Sequence, residues 1–197
     1  MKLYLLRHGE TDWNVARRLQ GLIDTPLNPK GMKQAEGWRP YFDRVRLAAI
    51  YSSSLKRAID TAVLATGRPA CIIDGFNERG FGVWEGSTWQ ELQQTVSEFD
   101  ERWSEDSFCP PGGESRQALY NRVEAALDEV VFQHAETEEV LIVAHGASGH
   151  AIMGSLLARP IADRSSLPVL HNASLTILEF QKPAWSIVEQ LPSLFLA

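Results

Sequence analysis

Three short segments of this 197-residue chain carry residue types suited to phosphate esters, and each follows a short apolar run. They are Arg7-His8-Gly9, the stretch from Ser52 to Arg57, and His145-Gly146. A neutral imidazole is a good nucleophile toward phosphorus, because one ring nitrogen attacks while a hydrogen bond holds the other. His8 offers such a ring. Arg7 beside it brings a planar fork of donors that matches phosphoryl oxygens, and Gly9 lets the backbone pass close to a ligand. Thr11 and Asn14 add a hydroxyl and an amide within one or two helical turns. His145 repeats the arrangement, and Gly146 opens a helix whose first N–H groups favour an anion; a second imidazole there would stabilise charge that grows during transfer. Arg57 stands near the start of its own helix, in Ser53-Ser54-Leu55-Lys56-Arg57-Ala58. Transfer from a poor leaving group also needs a proton donor, and Glu78 and Glu85 are the candidates, in Asn77-Glu78-Arg79-Gly80-Phe81-Gly82-Val83-Trp84-Glu85-Gly86.

Those segments need elements that bring them together. Leu3 to Leu6, Ala48 to Tyr51, Ala70 to Ile73 and Val140 to Val143 are short continuous apolar runs, the pattern of strands buried on both faces of a parallel sheet. Asn28 is a candidate cap before a helix expected from Met32 to Phe42, stopped or kinked near Pro40. A second helix is expected from Leu55 to Thr66, closed by Gly67. A third runs from Glu114-Ser115 to about His134, with Leu119, Val123, Ala126, Leu127 and Val130 at helical spacing. A fourth follows His145 to about Leu157. Ser174 to Phe180 and Ser186 to Gln190 are expected as final strands, antiparallel at an edge. The alternation predicts an α/β fold with a mostly parallel central sheet and helices on both faces. Such sheets bind ligands beyond the carboxyl ends of their strands, where all three segments should lie. The whole of 1–197 reads as one domain with a cap-like insertion at about 76–112. Its Trp84, Trp89, Phe99, Trp103 and Phe108 are expected at the mouth of a pocket.

Composition narrows the partners. Lys and Arg number 19 against 25 Asp and Glu, a formal net charge of -6. No basic stripe suits a nucleic-acid backbone, so an anion site must be local, a few arginines gathered by the fold. No apolar stretch approaches the roughly 18 residues that span a membrane, and the N-terminal run is too short for a signal peptide. Cys71 and Cys109 lack metal-ligand spacing. The expectation is a cytoplasmic protein, monomer or homodimer, acting on a small phosphorylated metabolite, with no metal, cofactor, nucleic acid or membrane.

The constellation resembles the histidine phosphatase superfamily, also called phosphoglycerate mutase-like. The matching segments are Arg7-His8-Gly9-Glu10-Thr11 with Trp13-Asn14, Ser52-Ser53 with Arg57-Ala58 and Thr61-Ala62, Glu78 with Gly82 and Trp84-Glu85-Gly86, Gly113-Glu114-Ser115, and Val143 with His145-Gly146. Asn172-Ala173-Ser174 also fits. The resemblance implies that His8 becomes a phosphohistidine while Glu78 protonates the leaving alcohol and then activates water. Arg7, Asn14, Arg57 and His145 would hold the phosphoryl oxygens, aided by Thr11 and Gly146, and no metal would be required. Glu85 would be structural. Gln20, Gly21, Arg79 and Trp84 are candidates for reading the rest of the substrate. The short chain favours the small phosphatases over cofactor-dependent phosphoglycerate mutases or a non-catalytic phosphate-ester sensor. Two departures stand out. Ala144 precedes His145 where serine is frequent, and Gly149 stands where some relatives carry a basic residue, which argues against bisphosphorylated substrates and phosphoglycerate.

Overall fold

A computed structural model of the protein describes residues 1–97 and 99–194. Six strands form one sheet: β1 (Lys2–Arg7), β2 (Leu47–Ser52), β3 (Cys71–Ile72), β4 (Glu139–Ala144), β5 (Leu175–Gln181) and β6 (Ala184–Leu191), in the spatial order β3-β2-β4-β1-β5-β6. The first four run parallel, and β5 and β6 add an antiparallel hairpin beside β1. The expected α/β architecture is thus observed. The strand expected over residues 70–73 is shorter, pairing with β2 only through Cys71 and Ile72, because it is an exposed edge from which the chain turns away at Asp74.

The helices are α1 (Asp12–Val15), α2 (Pro29–Glu36), α3 (Arg39–Phe42), α4 (Lys56–Thr66), α5 (Trp89–Thr95), α6 (Phe99–Ser104), α7 (Arg116–Gln133) and α8 (Gly146–Leu156). They explain why the central positions of β1 and β4 are apolar without alternation. Leu3, Leu5, Val140 and Ile142 share one cluster with Leu119, Val123 and Leu127 of α7 and Ile152 and Met153 of α8. Tyr4, Leu6, Leu141 and Val143 share another with Trp38, Phe42, Ala58 and Ala62. Successive side chains on a strand point to opposite faces, so covering both faces demands an unbroken apolar run. Each fully buried leucine contributes roughly 1.5–3 kcal/mol.

Helix ends follow local chemistry, with one correction. Asn28 caps α2, its Oδ1 accepting from the Gly31 N–H at 2.8 Å, and Pro29 opens the helix. The single helix expected from Met32 to Phe42 breaks at Gly37 and Trp38, before Pro40. Pro40 lies in the first turn of α3, where its missing N–H would have had no intrahelical partner. Trp38 at the break is fully buried, its indole N–H donating to the Ala173 carbonyl at 2.8 Å. Gly67 ends α4 at φ 68°, and the Ser115 hydroxyl caps α7.

Between β3 and α7 the chain leaves the sheet. Phe81, Trp84, Leu92 and Phe99 form a separate apolar cluster, with Leu19, Val96, Trp103 and Phe108 against it. The aromatic side chains expected at a pocket mouth therefore mostly fill the interior of the cap. Trp84 sits 5.3 Å from Phe99 and 5.5 Å from Phe108 between ring centroids. Among the described residues no helix is long and apolar enough to cross a membrane.

Candidate active site

Strand register does most of the positioning. Arg7 of β1 pairs with Ala144 of β4, and Ser52 of β2 pairs with Val143. The next residue on each strand, His8, His145 and Ser53, therefore emerges beside its neighbours at the carboxyl edge of the sheet. The His8 N–H donates to the Ala144 carbonyl and the Ser53 N–H to the Val143 carbonyl, at 3.0 and 3.2 Å. The rings of His8 and His145 lie 5.1 Å apart between centroids.

His8 is buried, with Nδ1 2.7 Å from the Gly9 carbonyl. A carbonyl only accepts, so Nδ1 carries the proton and Nε2 keeps a lone pair. Burial, reinforced by the charges of Arg7 and Arg57, holds the imidazole well below the usual histidine range. The ring is neutral, with its lone pair on Nε2. The loop that carries it is braced from two sides. The Gly9 N–H donates to Thr61 Oγ1 at 3.0 Å, and Asn172 Nδ2 donates to the His8 carbonyl at 3.2 Å and to Asn14 Oδ1 at 3.1 Å.

The cations are fixed by the backbone. Arg57 is fully buried on α4. Its Nη2 donates to the Gly21 carbonyl and its Nη1 to the Ile23 carbonyl, both at 2.8 Å, while Nε donates to His145 Nδ1 at 3.2 Å. A guanidinium has five N–H donors, so two are uncommitted. Arg7 Nη1 donates to the Leu170 carbonyl at 2.5 Å, and its Nε is buried with no partner. A buried donor without an acceptor costs roughly 1–3 kcal/mol, which a bound anion offsets. His145 accepts from Arg57 on Nδ1, so its Nε2 carries the proton toward Ser53 Oγ at 2.7 Å. Burial and the neighbouring cations keep this ring uncharged as well. Both of its nitrogens are engaged with protein, so His145 orients the Arg57 fork.

Glu78 occupies the N-terminus of α8. Its Oε2 accepts from the Gly146 N–H at 2.9 Å, and its Oε1 accepts from Ala147 and Ser148 at 3.0 and 3.2 Å. A Cβ on Gly146 would lie 3.5 Å from Glu78 Oε2 and 3.8 Å from Arg7 Cζ, so the absent side chain leaves room for the carboxylate beside the arginine. The loop behind Glu78 is held by Arg122 of α7, which donates to the carbonyls of Gly75, Asn77 and Glu78 at 2.8–2.9 Å and pairs with both carboxylate oxygens of Glu114. Glu85 accepts from the Leu22 and Phe81 N–H groups, the structural part expected of it.

The remaining candidates divide. Asn14 Oδ1 is held by Thr11 and Asn172, which leaves its Nδ2 for a ligand. Thr11 is fully buried and spends its hydroxyl capping α1 and on Gln20, so it positions Asn14 and is withdrawn as a direct phosphate contact. Gln20 is buried, its carbonyl oxygen bonded by Thr11 and Thr25, and Gly21 supplies a carbonyl to Arg57, so neither faces substrate. Trp84 is corrected too, since it is packed inside the cap. Arg79 is buried against the rings of Phe81 and Trp103. Position 149 says nothing about substrate charge, because a Cβ on Gly149 would lie 2.5 Å from Leu170 Cδ1, pointing into the core. His150 is the basic residue of that turn that borders a cavity. Ser53 and Asn172 were visible in sequence only as parts of familiar segments, and Arg122 reads there as an ordinary helix arginine. Among the described residues no group of three or more His, Cys, Asp or Glu side chains is arranged to hold a metal ion.

Comparison with known proteins agrees with this geometry. The chain is 34% identical over 188 residues to a glucosyl-3-phosphoglycerate phosphatase of Mycobacterium tuberculosis, covering 90% of this chain and 84% of that one. It is 34% identical over 194 residues to a metal-independent phosphoserine phosphatase of Arabidopsis thaliana, covering 94% and 79%. A solved mycobacterial glucosyl-3-phosphoglycerate phosphatase, complexed with VO3, superposes with a TM-score of 0.84 at 32% identity, over 94% of this chain and 96% of that one. The model of the histidine phosphatase superfamily (branch 1) matches residues 3–191, and this chain, with its two imidazoles and two guanidinium groups at one sheet edge, belongs to that family.

Proposed function

We propose that this phosphatase hydrolyses small phosphate monoesters through a phosphohistidine on His8. The observation that carries the reading is the neutral, buried His8, with Nε2 available for attack, next to a buried Arg7 Nε that has no partner. Nε2 attacks phosphorus and the bond from phosphorus to the alcohol oxygen breaks. Glu78 delivers a proton to that oxygen and later takes one from the water that attacks the phosphohistidine, releasing phosphate and restoring His8. Arg7, Arg57 and the Nδ2 of Asn14 hold the phosphoryl oxygens through both displacements, where preorganised donors stabilise developing charge. The relatives named for phosphoserine and glucosyl-3-phosphoglycerate support a small phosphorylated metabolite as substrate.

The test is to trap the intermediate. A phosphomonoester carrying radiolabelled phosphate, mixed with the enzyme and quenched in alkali, should leave acid-labile label on the protein. His8→Asn should abolish both label and turnover while the protein stays folded. Label retained in that variant would show that another residue is the nucleophile.

A further inference from the structure

The carbonyl that anchors His8 belongs to a peptide unit whose other end is held as well. The Gly9 carbonyl lies 2.7 Å from His8 Nδ1. The N–H of the same unit is that of Glu10, and it donates to Gln34 Oε1 at 2.9 Å. An N–H only donates, so the amide of Gln34 presents its oxygen there. The unit is planar and trans, with its C=O and N–H on opposite sides. An acceptor fixed on the Glu10 N–H therefore aims the Gly9 carbonyl at the His8 ring. Hydrogen bonds in such a chain polarise one another, which makes that carbonyl a stronger acceptor.

The start of α2 is built to deliver this contact. Gly31 and Gln34 are three residues apart and share one face of the helix. A Cβ on Gly31 would collide with the Glu10 backbone, and a Cβ on Gly9 would collide with the Gly31 carbonyl. Both positions need glycine for the two backbones to cross this closely. Asn28 locks the crossing from its other end. Its N–H donates to the Glu10 carbonyl at 3.0 Å, while its Oδ1 caps the helix through Gly31. Gln34 is buried, in surroundings where an unmade hydrogen bond is costly.

We propose that Gln34 is a positioning residue for the nucleophile, keeping the proton of His8 on Nδ1 and the lone pair on Nε2 through the Gly9–Glu10 peptide. This rests on the phosphatase reading above, in which Nε2 attacks phosphorus. As the N–P bond forms and the P–O bond breaks, the ring retains its Nδ1 proton and takes up positive charge. The Nδ1–H becomes a charged donor, and its bond to the Gly9 carbonyl strengthens. The chain from Gln34 thus favours the transition state over the bound substrate, and its loss falls on the first displacement rather than on binding.

The experiment replaces Gln34 by leucine, which has no acceptor, and by glutamate, which keeps an oxygen for the Glu10 N–H. Single-turnover release of p-nitrophenol from p-nitrophenyl phosphate reads the first displacement. Gln34→Leu should slow it roughly tenfold, the effect of one lost hydrogen bond with its donor left unpaired, while affinity for inorganic phosphate changes little. Gln34→Glu should restore the rate. Nitrogen NMR of isotope-labelled histidine reads the tautomer, the His8 signals being those that vanish in His8→Asn. Wild-type His8 should carry its proton on Nδ1, Gln34→Leu should admit the Nε2 tautomer, and Gln34→Glu should not. A glutamine that served only stability would leave the tautomer alone. Wild-type His8 protonated on Nε2 overturns the proposal even if neither variant folds. A first displacement at the wild-type rate in Gln34→Leu, or an equal loss in both variants, overturns it and leaves the phosphatase reading intact. No turnover of p-nitrophenyl phosphate by the wild-type enzyme overturns both.

Discussion

In the proposed mechanism Glu78 and His8 divide the chemistry by what each side chain is held against. His8 is anchored through Nδ1, which in the proposed mechanism does not react, and the charges of Arg7 and Arg57 act on its ring. Glu78 is anchored by three N–H groups at the start of α8, which fix where a proton can be delivered. Replacing Glu78 by glutamine keeps the shape, removes the transferable proton and turns one of the two oxygens that accept from the α8 N–H groups into an NH2 that cannot. Turnover of an alkyl phosphate should then fall by about 10²–10⁴, the usual contribution of a positioned acid. For p-nitrophenyl phosphate the first displacement should change far less, since p-nitrophenolate leaves without protonation. Pre-steady-state release of p-nitrophenol isolates that step, and equal losses for the two substrates would remove Glu78 from the role of acid. The nature of these two side chains is legible from sequence; their anchors are not. The Gly9 carbonyl and the α8 N–H groups are backbone atoms that every residue has, and only the folded path aims them.

At the scale of elements, the sheet brings the nucleophile and cations together, and α7 holds the acid's loop in place. Arg122 commits all five of its N–H donors, two to Glu114 and three to carbonyls of residues 75–78. Removing that clamp should act on chemistry through Glu78. Arg122→Met is expected to lower kcat for alkyl phosphates by roughly ten- to a hundredfold, the effect of losing charge-assisted hydrogen bonds. The added loss should be small in a Glu78→Gln background, as expected for residues acting as one unit. Lysine should not rescue, because a compact ammonium cannot reproduce the planar fork. Additive losses in the double variant would mean that Arg122 does not act through Glu78. Helix periodicity located α7 and its apolar stripe, since Leu119, Val123, Ala126, Leu127 and Val130 are all buried. It says nothing about the polar side of the same helix, where Arg122 looks like any solvated arginine.

For the molecule as a whole, two buried neutral histidines make stability depend on pH. Burial and nearby cations lower the pKa of His8 and of His145 in the folded protein, while an unfolded chain titrates near 6.5. Above about pH 6.5 neither state binds the extra protons, and the contribution is flat. Below it the unfolded chain takes up protons that the folded one refuses, so stability falls as pH falls, by up to about 1.4 kcal/mol per pH unit for each histidine. Urea unfolding at a series of pH values should show this decline, with a shallower slope for His8→Asn. A wild-type slope unaltered by that substitution would show that His8 titrates alike in both states.

Sequence by itself determined the kind of chemistry and the edge where it happens. The apolar runs of β1 and β4 mark strands covered on both faces, while the like run at 70–73 became an exposed edge, and the residue after a buried parallel strand emerges at the carboxyl edge of the sheet. Arg7, His8, Ser53 and His145 are therefore assigned a common edge by their positions in the chain alone. Tertiary structure alone decided which side chains of the cap face inward, that Trp84 packs against Phe99 and Phe108, that Gly149 points at Leu170, and that Arg79, Arg116 and Arg164 line one cavity. The reason is physical. A strand's facing is set by a period of two along its own residues, whereas contacts among short helices of an irregular insertion depend on packing between segments far apart in the chain, which no local pattern encodes.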